Sequence, residues 1–250
     1  MWPRQSQATK VKQVVAAESH GGAVEITPLG DAALSVRLAA DFNTNPAEAL
    51  RAVLAARDRL RAANIPGITD ITPAYETIGV YYDPCCAGSI ELLIENVRHA
   101  IGATAIKSKT VRRQIVVPAC YDREFAIDIA DVAQCAKLSI EKVVELHSSV
   151  EYRVACVGFK PGFPYLSGLP PELATPRRAT PRKQVPTGSV AIGGSQTGIY
   201  PQASPGGWNI IARTPLRLFD PANDPPALVQ AGDVVRFRVV DRKEFSALTK

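Results

Sequence analysis

The positively charged side chains of this sequence are concentrated between Arg153 and Arg217. That segment holds eight Lys or Arg residues and a single acid, Glu172, so it carries a net charge of +7, whereas the whole chain carries +5. It also holds 9 of the 17 glycines and 10 of the 20 prolines, which disfavour helices. The pattern predicts short strands and tight loops whose positive charge attracts carboxylates, phosphates or an acidic partner surface.

The loop with the sequence TPRRATPRK is the strongest candidate for anion binding in this segment. Its prolines hold the backbone extended, and an arginine can grip a carboxylate or phosphate through two parallel hydrogen bonds. We therefore predict catalytic roles for Arg178 and Arg182 and a substrate-binding role for Arg177. The alternative is a solvated basic loop that meets an acidic face of a partner protein.

A second loop region, around the predicted strand Ser189–Ile192, is rich in glycine. Glycine lets a backbone N–H group approach a ligand closely, and the neighbouring polar side chains can hydrogen-bond a substrate. Turn formation alone is the alternative explanation for the glycines. The chain contains no GxxxxGK[ST] phosphate-binding loop, so it is not expected to hold ATP alone in that way. Four substrate contacts are predicted here: Gly188, Gln196, Thr197 and Tyr200.

Three further residues are candidates with strong alternatives. Lys160 could neutralise a phosphate, or it could be a solvated turn residue. Trp208 follows two glycines and could form a platform for a ligand, or it could plug the core. His147 is a catalytic candidate, but its spacing from other apolar residues places it on the buried face of a predicted helix, where it would have a packing role.

Several protein classes are disfavoured by the composition. Five cysteines without a C-x-x-C spacing, and only three histidines, do not predict a metal site; we expect reduced, mostly buried thiols. No basic helix or RNA-binding aromatic motif accompanies the pI near 9.0, so no nucleic-acid partner is predicted. No apolar run approaches the roughly 20 residues of a membrane span. Residues 1–22 lack a signal-peptide core and are predicted to be a flexible tail of a cytoplasmic protein.

The elements that must position these residues fall into two groups. The first covers residues 23–101, with predicted strands at 34–38, 68–73 and 77–82 and helices that begin after Asn45 and Ser89. The order is β-β-α-β-β-α, or β-α-β-β-α if the first two strands are one. This order predicts a small α+β domain of split-βαβ type.

The second group covers residues 111–250, after a polar linker at 102–110. Two short helices are predicted at 128–137 and 139–148, and everything beyond Tyr152 has the pattern of strands, including the segment LRLFD at 216–220. Many short strands without intervening helices favour a closed or sandwich-like all-β domain.

Four motifs, in this order, carry a resemblance to a known family. They are LGDAAL (29–34), PG-x-x-D-x-x-P-x-Y (66–75), LHSSVEYRV (146–154) and the long block from Gly158. Over roughly residues 29–240 the chain resembles the B subunit of the bacterial ATP-dependent 5-oxoprolinase. That family is also called allophanate hydrolase subunit 1 and includes an inhibitor of a sporulation sensor kinase. Asp122-Arg123 and the sequence GGSQ at 193–196 depart from the family pattern, which leaves the substrate open in detail.

The resemblance implies an α+β domain followed by a cyclophilin-like β-barrel. It also implies a paired enzyme in which this chain and a homologous C subunit activate 5-oxoproline with ATP and Mg, the ATP being shared with the partner. A separate A subunit then completes ring opening to glutamate. The chain has no self-contained triad or metal cluster, as expected if a partner completes the active centre. Two alternatives remain: an inhibitor of a sensor histidine kinase, and a carboxyltransferase component of a urea or allophanate pathway.

Overall fold

The computed structural model describes residues 24–103 and 113–249 of the chain. The predicted flexible tail and residues 104–110 of the predicted linker lie outside the described residues. The described part contains two hydrophobic cores, one formed by residues between Leu34 and Ile101 and one by residues between Val117 and Phe237.

The N-terminal part alternates strands and helices in the predicted order β-β-α-β-β-α, which is confirmed. Its elements are β1 (Glu25–Pro28), β2 (Ala33–Arg37), α1 (Pro46–Ala63), β3 (Ile68–Ala74), β4 (Thr77–Tyr82) and α2 (Ile90–Gly102). The sheet order is β1-β2-β4-β3 with antiparallel neighbours, so β4 lies between β2 and β3. The assignment to the split-βαβ class stays a prediction.

Helix α1 begins where the sequence predicts it, because Asn45 caps its first turn. The Asn45 side-chain oxygen accepts a hydrogen bond from the Glu48 backbone N–H at 3.2 Å, and the Asn45 amide donates to the Glu48 carboxylate at 2.8 Å. Pro46 occupies the first helical position, where its missing N–H has no cost. Both helices bury one apolar face against the sheet.

The C-terminal part is dominated by strands. Its elements are β5 (Gln114–Ala119), α3 (Ile129–Ala136), α4 (Ile140–Ser149), β6 (Tyr152–Val157), β7 (Pro164–Ser167), β8 (Arg182–Val185), β9 (Ser189–Gly193), β10 (Gln196–Ile199), β11 (Ser204–Gly206), β12 (Asn209–Arg213), β13 (Val234–Val239) and α5 (Arg242–Leu248). A seven-stranded sheet has the order β12-β9-β10-β7-β6-β13-β5, and β8 pairs with β11 outside it.

The seven-stranded sheet nearly closes into a barrel. Its edge strands β5 and β12 meet where Cys120 and Arg213 exchange two backbone hydrogen bonds of 2.8 and 2.9 Å. A closed sheet leaves no long unpaired edge, as predicted for this part of the chain. The more specific cyclophilin-like assignment stays a prediction.

Three predictions about the C-terminal part and the thiols are wrong. The segment LRLFD is not a strand; it forms only a bridge between Phe219 and Ala227, because Pro215 and Pro221 flank it and limit pairing. Helix α5 was not predicted, although Asp241 caps it by accepting from the Glu244 N–H at 2.8 Å. The thiols are not mostly buried. Three of the five cysteines are exposed: Cys85, Cys86 and Cys135.

Candidate functional site

A buried carboxylate organises the basic loop. Asp128 is only 1% exposed and lies directly before α3. Its two oxygens accept hydrogen bonds from Arg182 at 2.6 and 2.8 Å, and Oδ1 also accepts from Arg178 at 3.0 Å. The backbone N–H of Ile210 donates to Oδ2 at 2.7 Å. One side chain therefore joins α3, the basic loop, β8 and β12.

Arg178 and Arg182, for which catalytic roles were predicted, are both engaged in this internal ion pair, and their catalytic roles stay predictions. Both are held by Asp128, since a carboxylate taken out of water needs compensating charge and hydrogen bonds. The sequence analysis recognised residue 128 only as the start of a helix. An aspartate at a helix start is ordinary, and nothing in the local pattern announces partners 50 and 54 residues away.

His147 lies inside the barrel rather than at its surface. Its Nδ1 is 2.7 Å from the Tyr121 hydroxyl and its Nε2 is 3.1 Å from the Thr197 hydroxyl, and the residue is 0% exposed. Thr197 donates its own proton to the Ala191 carbonyl at 3.0 Å, so it must accept from Nε2–H. Nδ1 then accepts from Tyr121. The ring is a neutral, fully paired Nε2–H tautomer.

Burial lowers the pKa of His147 to about 3, because the charged imidazolium would lose its hydration. The ring is therefore neutral at physiological pH and has no contact with solvent. This corrects the catalytic expectation in favour of the packing alternative. Thr197, expected to bind substrate, is likewise 0% exposed and hydrogen-bonded inside the same core.

The outer face of the barrel carries a layer of aromatic rings. We call it the aromatic patch; it consists of Phe159, Phe163, Tyr165, Tyr200 and Trp208. Neighbouring rings meet edge to face, with centroids 5.6 Å apart for Phe163 and Trp208 and 5.8 Å apart for Tyr165 and Trp208. The Arg177 guanidinium lies 5.7 Å from the centre of the Trp208 ring, within cation–π range.

Arg177 differs from its two neighbours in the basic loop. Arg177 is exposed, and among the described residues no carboxylate forms an ion pair with it. Of the three predicted arginines, it is the one whose guanidinium group is not held by Asp128, so all its donors can turn to an anion. Trp208 itself is only 5% exposed, so it supports Arg177 rather than offering an open platform.

The glycines make room for aromatic rings and tight turns. A Cβ on Gly193 would lie 2.4 Å from the Trp208 indole, and a Cβ on Gly198 would lie 2.9 Å from the Phe163 ring. Gly188 has φ +79°, and a Cβ there would lie 2.2 Å from the Thr214 carbonyl oxygen. Gly188 thus has the turn role that the sequence left open, whereas Gly193 and Gly198 make room for the rings, which was not predicted.

Backbone N–H groups of these loops are already paired within the protein. Gly188 donates to the Tyr200 carbonyl at 2.8 Å, and Gly194 donates to the Thr175 carbonyl at 2.8 Å. These two N–H groups are therefore not free to bind a phosphate in this structure. The described residues also contain no group of three His, Cys, Asp or Glu side chains that could hold a metal ion.

Gln196 links the aromatic patch to the N-terminal part. Its Oε1 accepts a hydrogen bond of 3.2 Å from the Tyr75 hydroxyl, while its Nε2 is buried without a partner in the part of the chain that the structure describes. An unpaired buried donor costs about 1–3 kcal/mol. Tyr75, which sequence reasoning quoted only as a family marker, is thereby a member of the candidate site.

The remaining candidates occupy separate positions. Tyr200 is 2% exposed, and burial raises the pKa of its hydroxyl. Lys160 is half-buried in the turn before Phe163, where its backbone forms the turn's hydrogen bonds. A cavity of about 720 Å³ lies elsewhere, lined by Arg213, Arg217, Phe219 and Phe245 among others, and holds none of the predicted site residues.

Comparisons with known proteins all point to one family. The family described as carboxyltransferase domain, subdomain C and D, matches residues 24–229. The 5-oxoprolinase B subunit of Bacillus subtilis (strain 168) is 36% identical over 233 residues, covering 89% of this chain and 95% of the relative. That of Escherichia coli O157:H7 is 58% identical over 132 residues, 53% of this chain and 60% of the relative.

A solved structure has the same fold. TTHA0988, crystallised in space group P212121, is 36% identical and superposes with a TM-score of 0.72 over 84% of this chain. The match covers only 40% of the TTHA0988 chain. In the described ranges, no helix combines the length and the apolar character that crossing a membrane requires.

Replacing Asp128 tests whether the basic loop is held by an internal ion pair. We expect Asp128→Ala to lower the free energy of unfolding by about 3 kcal/mol, the lower end for breaking a buried pair, because both arginines keep some contact with water. Urea denaturation measures this. Asp131→Ala removes an exposed carboxylate 3.9 Å from Arg178 and should cost far less; equal losses would contradict the internal anchor.

The buried histidine predicts a pH dependence of stability. The folded pKa of His147 is about 3 and the unfolded value about 6.5, so between these values the unfolded chain binds the extra proton. Stability is then lost as pH falls from about 6.5 towards 3, by up to about 1.4 kcal/mol per pH unit. We expect His147→Gln to flatten this slope in urea denaturation between pH 7.5 and 4.5. His99→Gln, at an exposed histidine, is the control; an unchanged slope in His147→Gln would refute the assignment.

Proposed function

The chain belongs to the carboxyltransferase domain family and, within it, to the relatives of the 5-oxoprolinase B subunit, and from this premise we propose that it is the B subunit of an ATP-dependent 5-oxoprolinase. The observation that carries the proposal is the 36% identity to a curated B subunit over 95% of that protein's length. The proposed complex opens 5-oxo-L-proline to L-glutamate with ATP hydrolysis.

We propose that the chain acts only with partners, a homologous C subunit and a separate A subunit. This is supported by the content of the candidate site: arginines, aromatic rings and an amide, without a paired nucleophile and base among the described residues. ATP with Mg supplies the activation of the cyclic amide in the complex. The Gly188 and Gly194 N–H groups are paired within this chain, and we propose that partner residues hold most of the nucleotide. We propose that the complex acts in the cytoplasm, where ATP is available.

Arg177 is the residue that we propose for binding the substrate carboxylate. 5-Oxoproline is a small ring with a free carboxylate, and an arginine fork suits a carboxylate better than a lysine does. The Trp208 ring contacts the Arg177 guanidinium group through a cation–π interaction. Arg178, the next residue of the loop, is hydrogen-bonded to Asp128. The cation is thus held in place without an internal carboxylate competing for it.

The inhibitor and urea-pathway alternatives are not favoured. The curated relatives that match this chain are named as B subunits of 5-oxoprolinase, and over most of its length this chain aligns with one of them. Among the described residues, no observation points to a kinase-binding surface or a biotin-dependent partner.

Reconstitution is the direct test of the proposed function. A mixture of this chain with the cognate A and C subunits should convert 5-oxoproline to glutamate in the presence of ATP and Mg, and omission of any one component should abolish turnover. Glutamate release and ADP formation are measured together. A folded, assembled mixture without glutamate release would rule the proposal out.

Arg177→Gln tests the carboxylate-binding role within that complex. A hydrogen bond to a charged group is worth about 1.5–3 kcal/mol, so we expect KM for 5-oxoproline to rise about ten- to a hundredfold with little change in melting temperature. Arg98→Gln makes the same charge change on the exposed face of α2 and should leave KM unaltered. Equal KM values for the two variants would remove Arg177 from the site.

A further inference from the structure

Tyr75 is the residue through which the N-terminal part reaches the candidate site. It lies in the turn between β3 and β4, and its backbone N–H donates to the Ala155 carbonyl of β6 at 3.3 Å. Its hydroxyl donates to Gln196 Oε1 on β10. The hairpin is therefore fixed to two strands of the barrel at once.

The backbone of Tyr75 is held in an uncommon conformation. Its φ is +55°, in the left-handed region that non-glycine residues with bulky side chains rarely occupy. Such a conformation persists where surrounding contacts impose it, and it is frequent at functional sites. In Tyr75 it directs the ring and hydroxyl towards the barrel, where the ring packs edge to face against Phe42 and Tyr165, with centroid distances of 4.9 and 6.2 Å.

These contacts continue into the aromatic patch. Tyr165 meets Trp208 with centroids 5.8 Å apart, and Trp208 supports Arg177. Gln196 pairs across the strands with Gly193, the residue against which the Trp208 indole packs. The Gln196 amide is thus beside the rings that carry the proposed carboxylate-binding arginine.

The Tyr75 hydroxyl and the neighbouring Cys156 thiol are both uncharged. Burial raises the pKa of the Tyr75 hydroxyl above its usual range and the pKa of the neighbouring Cys156 thiol to about 11. Both groups keep their protons at neutral pH. In this structure the hydroxyl donates to the amide oxygen of Gln196, and the amide nitrogen has no partner among the described residues.

We propose that Tyr75 is a positioning residue of the candidate site: it holds the Gln196 amide so that Nε2 is the donor for the carbonyl oxygen of a bound cyclic amide. The proposal rests on the proposed 5-oxoprolinase function. Nε2 is covered in this structure, so the proposal requires side chains around the Gln196 amide to move when the ligand binds, while the Tyr75 hydrogen bond stays in place. Binding at the patch is in this way coupled to the position of the N-terminal part.

A double-mutant cycle in the reconstituted complex tests the role. We expect Tyr75→Phe, which keeps the ring and loses the hydroxyl, to lower kcat/KM for 5-oxoproline about three- to tenfold, the value of one neutral hydrogen bond. Gln196→Leu should lower it at least as much. Because Tyr75 acts through Gln196, adding Tyr75→Phe to Gln196→Leu should cause no further loss. Tyr81→Phe, at an exposed tyrosine of β4, is the control and should match the wild type.

Two outcomes would overturn the positioning role while leaving the proposed function intact. One is an active wild-type complex in which Tyr75→Phe has the wild-type kcat/KM; the other is a double variant whose losses multiply. A merely structural role would lower the melting temperature of Tyr75→Phe and spare KM. An inactive wild-type complex would instead contradict the proposed function and, with it, this extension.

A binding measurement gives a readout besides turnover. Trp2 and Trp208 are the two tryptophans of this chain, so the emission of a complex with the Trp2→Phe chain, minus that of a complex with the Trp2→Phe/Trp208→Phe chain, reports on the aromatic patch. Titration of the assembled complex with 5-oxoproline should change this emission, and Tyr75→Phe should shift the midpoint to about three- to tenfold higher concentration. An unshifted midpoint would contradict the proposal.

Discussion

The buried Asp128 carboxylate is the constraint on which the C-terminal half of the candidate site depends. Two arginines and a backbone N–H converge on it, so the basic loop, β8 and β12 can take only the arrangement that satisfies all four hydrogen bonds. A buried carboxylate without these partners would be strongly unfavourable. The loop is therefore fixed at its base, and this in turn constrains where Arg177 projects.

Inside the barrel, buried polar side chains are stabilised by neutral hydrogen bonds rather than by an ion pair. Three polar side chains, those of Tyr121, His147 and Thr197, are paired with one another and with backbone carbonyls, so none needs to carry a charge. A fully satisfied neutral network specifies a single packing arrangement, whereas a charged imidazolium there would lack hydration. The interior of the barrel therefore holds no charged group of this network. The candidate site lies on the outer face, with the aromatic patch and Arg177.

Much of the architecture could be predicted from local pattern. The caps at Asn45 and Ser89, the apolar faces of both helices and the alternation in β13 are determined by neighbours a few residues apart, and these elements were located correctly. The site was predicted less well because its defining contacts are long-range: Asp128 with Arg182 and Tyr75 with Gln196 are 54 and 121 residues apart in sequence. The positive charge of the basic loop predicted anion binding. Two of its arginines, however, are hydrogen-bonded to Asp128, a buried acid outside the loop.

The contacts of the candidate site suit orientation of a small acidic ring. Its described residues supply an arginine not held by a carboxylate, aromatic rings and an amide nitrogen without a partner. The backbone N–H groups that might have held a nucleotide are used within the loops. The geometry is consistent with the proposed division of roles, in which this chain orients the substrate and a partner activates it. Through its contacts with Gln196 and Ala155, the Tyr75 hairpin connects the N-terminal part, where a partner could dock, to the residues that orient the substrate.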